Sequence, residues 1–214
     1  MKISFLCSDP QHPVNDRLLM WIEQQQSAHQ IELVRTKRDL TAGDILFLIS
    51  CSEIISAEDR ARYRASLVLH ASDLPTGRGW SPHIWEILAG AEEITLSLLE
   101  AEDKVDSGQI WAKSKIPIPK HALWDEINSL LLDAEIKLIE FTLKQFDNIE
   151  PQPQDLSIEP SYYPRRTPAN SQLDPMLSLV ELFDNIRLCD PNRYPAFFIM
   201  RGKKYKITLE KIDD

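Results

Sequence analysis

A histidine, His70, closes the apolar run Ser66-Leu67-Val68-Leu69, and 36 residues later an aspartate, Asp106, stands in the acidic stretch from Glu100 to Gly108. Imidazole changes charge near neutral pH, and a carboxylate beside it holds or raises its proton affinity, so the pair could manage protons. A histidine at a strand end serves equally well as a satisfied structural residue, and the separation alone proves nothing. Between the two lies Ala71-Ser72-Asp73-Leu74-Pro75-Thr76-Gly77-Arg78-Gly79-Trp80-Ser81-Pro82, where two prolines and two glycines impose a specific loop. Its Asp73, Arg78, Gly79 and Trp80 are candidates to meet a substrate. Asp73 has an equal claim as a cap on its own backbone, and Arg78 a claim as a brace through charge-assisted hydrogen bonds. A second constellation, Tyr162-Tyr163-Pro164-Arg165-Arg166, puts two guanidiniums and two phenols in a proline-stiffened segment. It could hold a diphosphate and stack a base, or pin the segment to an acidic surface.

The elements that must position these groups follow from apolar patterning. Compact runs at Ile3 to Cys7, Ile31 to Val34 and Ile45 to Ile49 read as strands, with a helical spacing at Leu18, Leu19, Trp21 and Ile22 between the first two. Strand, helix, strand predicts a right-handed parallel crossover. Ser56 with Glu58 and Asp59 opens a helix. The run ending at His70, a helix from His83 to Leu88 and a strand from Ile94 to Leu99 follow. His70 and the acidic loop are expected to meet at one edge of the sheet. Ligands of such sheets bind beyond the carboxyl ends of the strands, where His70 and the turn Ser50-Cys51-Ser52-Glu53-Ile54-Ile55 both fall. Gln109 to Ala112 leads on toward Ile116, and an apolar stripe from Trp124 to Phe141 predicts a long helix closing the sheet's face. Residues 149–175 are rich in proline and polar side chains, an extended crossing. Leu177 to Cys189 reads as a short helix and Tyr194 to Phe198 with Lys204 to Ile207 as a hairpin turning at Arg201-Gly202. The expected fold is α/β, Rossmann-like, with a mainly parallel twisted sheet. Residues 1–150 would form the catalytic domain and 151–214 the crossing with a small C-terminal helix and hairpin.

Composition narrows the function. The 214 residues carry 24 basic and 33 acidic side chains, a net charge of −9, which argues against a surface that gathers phosphate backbones and hence against a nucleic-acid partner. Cys7, Cys51 and Cys189 have neither disulfide nor zinc spacing, so no metal is expected. No signal peptide or long apolar segment is visible, which predicts a cytoplasmic chain with no membrane partner. The first strand-to-helix loop lacks Gly-x-Gly-x-x-Gly, which disfavours a dinucleotide enzyme.

The order His70-Ala71-Ser72-Asp73-Leu74-Pro75, Gly77-Arg78-Gly79-Trp80-Ser81-Pro82, a helix ending at Gly90, a threonine-containing strand and Val105-Asp106-Ser107-Gly108 resembles the signature of the folate-dependent formyltransferases. Within them it is most similar to the nucleotide-sugar N-formyltransferases, in particular the pseudaminic acid branch. The Tyr-Arg-Arg-Thr-Pro run and the C-terminal helix and hairpin resemble the same group. The resemblance implies 10-formyltetrahydrofolate as donor and the amine of a UDP-linked 4-amino-4,6-dideoxy sugar as acceptor. It implies His70 and Asp106 as catalytic residues. It implies Ser50, Cys51, Ser52, Ile54, Asp103 and Val105 around the folate, and Asp73, Arg78, Gly79, Trp80, Tyr163, Arg165 and Arg166 toward the sugar nucleotide. One position departs. The group has Asn-x-His-x-Ser, its asparagine supplying an oxyanion donor, and Val68 stands in that place. Three accounts are open: Ser52, Ser72 or a backbone N–H replaces the amide; the match is displaced by a bulge; or folate binds without turnover. The rival acceptor is methionyl-tRNA, and the rival class a folate-binding module. The apolar run Ala196 to Met200 raises the possibility of a homodimer.

Overall fold

The structure, a computed structural model, describes residues 1–212. Its strands are β1 (Lys2–Leu6), β2 (Gln30–Val34), β3 (Gly43–Leu48), β4 (Tyr63–His70), β5 (Arg78–Gly79), β6 (Glu93–Glu100), β7 (Ile110–Pro117), β8 (Tyr162–Tyr163), β9 (Ala196–Met200) and β10 (Lys203–Ile207). The helices are α1 (Val14–Gln25), α2 (Ala57–Arg60), α3 (Pro82–Leu88), α4 (Trp124–Gln145) and α5 (Leu179–Arg187). Six strands form one sheet in the order β2-β1-β3-β4-β6-β7. The first four run parallel, and β6 and β7 are antiparallel additions. The fold is therefore α/β with a mainly parallel sheet and flanking helices.

The parallel strands are apolar on both faces because both are covered. On one side Ile3, Phe5, Ile45, Phe47 and Leu67 pack with Leu18 and Trp21 of α1 and Leu131, Leu138 and Ile139 of α4. Phe5 stacks on Phe47 at 5.3 Å and meets Trp21 edge-on at 5.7 Å. Each such fully buried side chain contributes about 1.5–3 kcal/mol. On the other side Leu6, Leu46, Leu48, Leu40, Ile55 and Tyr63 form a smaller cluster. A third, of Leu173, Leu182, Ile186, Cys189 and Ala196, holds α5 to the β9/β10 hairpin.

Ser56 opens the expected helix as its N-cap, with a complete capping box; the helix is a single turn, Ala57–Arg60. One expectation needs correction. The C-terminal helix begins at Leu179, because the Ser178 side chain caps it there. The acidic loop does meet His70, as expected, though not directly from the end of β6. Because β6 is antiparallel to β4, Glu100 lies opposite Leu67, three residues short of His70. The loop must double back along β4 for Asp106 to reach the histidine.

Candidate active site

His70 ends β4 with its ring 8% exposed. Its Nε2 lies 2.9 Å from the Gly77 carbonyl. A carbonyl only accepts, so Nε2 carries a proton in this arrangement. Nδ1 faces Asp106 Oδ1 at 3.6 Å, an ion-pair separation rather than a hydrogen bond. The Asp106 side chain, 7% exposed, accepts the Gly79 N–H through Oδ2 at 2.8 Å. Asp106 holds φ +54°, a left-handed conformation that aspartate tolerates better than most residues. Ser50 and Ser81 at the same site are also left-handed, at φ 47° each, a conformation costing roughly 1–2 kcal/mol per residue. Strain is thus concentrated where ligands of open α/β sheets bind.

The loop over His70 is held from outside by the proline-rich crossing. The N–H groups of Gly77, Arg78 and Trp80 go to Ser161 Oγ, Ser161 O and Tyr163 O at 2.8, 2.9 and 3.2 Å. Gly79 has φ +97°, and a Cβ there would fall 2.5 Å from the Tyr163 carbonyl, so only glycine lets β5 and β8 pair. Gln154 is the central link. Its amide donates to the carbonyls of Asp106 and Gly108, each at 2.9 Å, and its Oε1 accepts from Arg78 Nη2 at 2.6 Å.

Arg78 braces the loop, as its charge-assisted hydrogen bonds suggest: it is 5% exposed, and its guanidinium also reaches the Tyr162 hydroxyl at 3.2 Å. Asp73 is exposed and paired with Lys113 at 2.5 Å, not capping its own backbone. Trp80 is 43% exposed with the Arg165 guanidinium 4.8 Å above its ring. Tyr163 stacks on Trp85 at 6.3 Å, and Arg166 lies 5.8 Å over the same indole. Neither Arg165 nor Arg166 forms an ion pair with a described residue; Arg166 Nη2 donates to the Asn170 carbonyl at 3.4 Å. They stand with Gly79, Trp80 and Tyr163 on one side of the loop. On the folate side expected from the resemblance, Cys51 is half-buried while Ser50, Ser52, Ile54 and Val105 are exposed. Asp103 is exposed and paired with Arg60 at 2.7 Å.

Val68, where the resemblance expects an asparagine, lies in a regular stretch of β4. β4 pairs without interruption with β3 through Leu48 and Val68 and with β6 through Val68 and Leu99. The sheet's only register shift among the described pairings falls between Leu98 and Leu99 against β7. No bulge interrupts β4 at Val68. Of the replacement groups, Ser52 is exposed, its N–H given to Ser8 Oγ at 3.1 Å. Ser72 is fully buried beside Gly77, its hydroxyl without a partner among the described residues.

Sequence reading missed His12, His83, Glu86, Gln154 and Ser161. His12 accepts the Val14 N–H at Nδ1, so its Nε2 donates to Ser50 Oγ at 2.9 Å. Burial, then the nearby Arg193 guanidinium, pushes its pKa down to about 4. Burial does the same to His83, helped by the neighbouring His12, His70 and Arg166, and its Nδ1 is enclosed and unpartnered. Both rings are neutral at neutral pH. A histidine in the loop after β1 was a findable signal, since that loop must lie at the sheet's ligand edge.

A mainly parallel α/β sheet gathers an imidazole and a carboxylate at its carboxyl edge, where ligands of open α/β sheets bind. The formyl transferase family pattern matches residues 3–143, and the chain belongs to that family. Methionyl-tRNA formyltransferase of Pediococcus pentosaceus is 30% identical over 155 residues, 68% of this chain and 46% of that protein. The chain thus spans about half the length of the curated relatives it matches. Methionyl-tRNA formyltransferase from Clostridium thermocellum superposes with a TM-score of 0.80 at 21% identity, covering 100% of this chain and 94% of that one. WlaRD, a sugar 3N-formyl transferase determined in the presence of dTDP and 5-N-formyl-THF, superposes with a TM-score of 0.72 at 17% identity, covering 95% and 84%. Among the described residues no helix is long and apolar enough to cross a membrane.

Proposed function

We propose that the chain transfers a formyl group from 10-formyltetrahydrofolate to the amine of a UDP-linked 4-amino-4,6-dideoxy sugar of the pseudaminic acid type. The observation that carries this reading is the arrangement of His70 and Asp106 beneath a loop whose outer side bears Trp80, Tyr163, Arg165 and Arg166. Formyl transfer passes through a tetrahedral oxyanion and requires a donor to it. His70, with Nε2 protonated and Asp106 beside Nδ1, is suited to that task once Gly77 O is exchanged for substrate. Asp106 orients the ring and, through the Gly79 N–H, the loop. Folate would lie along the turn from Ser50 to Ile54 and the loop bearing Asp103 and Val105. Two guanidiniums without an ion-pair partner among the described residues, set over the Trp80 and Trp85 indoles, suit a nucleoside diphosphate.

Methionyl-tRNA is the second reading, favoured by the curated relatives. The net charge of −9 opposes it. Arg201, Lys203, Lys204 and Lys206 on the β9/β10 hairpin give a basic stretch that an RNA could use. Turnover of 10-formyltetrahydrofolate with UDP- and dTDP-linked 4-amino sugars beside initiator methionyl-tRNA decides between them. Formylation of a UDP-amino sugar alone supports the first reading; formylation of tRNA alone overturns it. Tight folate binding with no transfer to any acceptor leaves the folate-binding module.

Cytoplasmic placement fits three cysteines that are all free thiols. Pairing of two copies through the hairpin, where Ile199, Met200 and Tyr205 are exposed, belongs to the same proposal. A sedimentation mass of one chain at micromolar concentration would exclude it.

A further inference from the structure

Resting on that amine-formylation reading, we infer that Glu86 of α3 takes the proton the attacking amine must lose, while His70 serves as the proton-bearing donor. The two groups flank one residue. His70 Nε2 donates to the Gly77 carbonyl, and Glu86 Oε1 lies against its Cα, 3.1 Å from where a Cβ would stand. Tyr163 Cε2 and Ser72 Cβ close the same space at 3.0 and 2.9 Å. Glu86 shares a helix face with His83, three residues earlier, and that face turns toward the loop over His70. Its carboxylate is half-buried and accepts no hydrogen bond from a described residue, whereas its neighbour Asp73 is paired with Lys113.

His70 is poorly placed to be the base. Its Nε2 already holds a proton, and Nδ1 faces Asp106 rather than open space. His83 and His12 are buried and hydrogen-bonded or enclosed. Glu86 has the opposite character. Burial first, and then the negative charge of Asp73, pushes its pKa up to about 7, and Tyr163 across the gap feels the Glu86 charge in turn. A base poised near the working pH combines the right protonation state with useful proton affinity.

The proton balance closes. The amine nitrogen forms a bond to the formyl carbon and gives one proton to the Glu86 carboxylate, while the formyl oxygen becomes the oxyanion held by His70. The carbon–N10 bond then breaks and N10 takes, through solvent, the proton that Glu86 received, so that His70 keeps its Nε2 proton and Glu86 ends as the carboxylate. The products are the formamide and tetrahydrofolate, and no external oxidant or reductant enters.

The test compares wild type with Glu86→Gln and Glu86→Asp, using the amine acceptor that proves competent in the panel above. Glu86→Gln is expected to lower kcat at pH 7 by about 100-fold or more with little change in KM for folate. The acid limb of the wild-type profile near pH 7 should disappear, and Glu86→Asp should restore part of the rate. Carbon-13 NMR of glutamate-labelled protein should show one carboxyl titrating near pH 7 that is missing from Glu86→Gln. Equal kcat and an unchanged acid limb in Glu86→Gln overturn the assignment, as does a folded wild type lacking that carboxyl signal. A wild type that formylates no amine overturns both this inference and the reading beneath it, whereas a competent wild type matched by Glu86→Gln removes Glu86 alone.

Discussion

At the scale of single residues, His70 is the side chain on which the proposed chemistry turns. Replacement by asparagine keeps a donor of similar reach but removes the imidazole, so turnover should fall at least about 100-fold while folate binding persists. An unchanged rate would take His70 out of the mechanism. Glu135 makes a different prediction. It is 7% exposed on α4, Oε2 has no partner, and burial pushes its pKa up to about 8. Between pH 4.5 and about 8 the unfolded chain would lose this proton while the folded chain keeps it. Stability is full below the lower value and declines as pH rises through the window. Glu135→Gln should flatten that decline and raise the melting temperature at neutral pH, the gain being on the order of a few kcal/mol at most. A thermal melt series from pH 5 to 8 reads this directly. His70 and Asp106 were legible because an ordered signature joins them. Glu86 and His83 were not, since a carboxylate and an imidazole on one short helix carry no pattern until folding turns that face toward the loop over His70.

At the scale of elements, the site depends on a segment without helical or sheet periodicity. Residues 149–175 read as a polar, proline-rich crossing, and that was correct as far as it went. What patterning could not convey is that Gln154 joins the loop after β4 to the loop after β6, or that Ser161 takes the Gly77 N–H. Hydrogen-bond partners 46 to 84 residues apart leave no local trace. Gln154→Ala would strand the buried Arg78 guanidinium and two carbonyls, so it should destabilise the chain by about 2–4 kcal/mol. It should also lower kcat more than it raises KM for folate, because Asp106 loses its tether. Denaturant unfolding and steady-state kinetics on the same variant separate the two effects. The parallel strands were easy to read because both faces are buried. The direction of β6 was not, nor was the path by which Asp106 reaches His70.

At the scale of the whole molecule, the division at residue 150 is a proposal about folding units, and the site crosses it. A chain ending at 150 would keep the sheet, α1 and α4 but lose Gln154, Ser161, Tyr163, Arg165 and Arg166. Such a truncation is expected to retain secondary structure by circular dichroism while losing transfer. Charge separates the two acceptor readings at the same scale. Binding of a sugar nucleotide at two guanidiniums should fall only shallowly with salt, whereas tRNA held by many phosphate contacts should fall steeply. A steep slope with tRNA and none with the sugar nucleotide would reverse the order of the proposals.

The indoles of the outer loop make the protein its own optical probe. Of five tryptophans, Trp80 and Trp85 sit under Arg165 and Arg166, with Trp85 also against Tyr163, while Trp21 of α1 is buried against the sheet. A nucleotide that drew either guanidinium onto its phosphates would uncover an indole, and a stacked base would quench it. Emission should therefore change on titration with the true sugar nucleotide and stay constant with folate-free buffer or a wrong base. The Trp80→Phe variant should lose much of that change without losing the fold, which gives a binding assay that needs no turnover and no label.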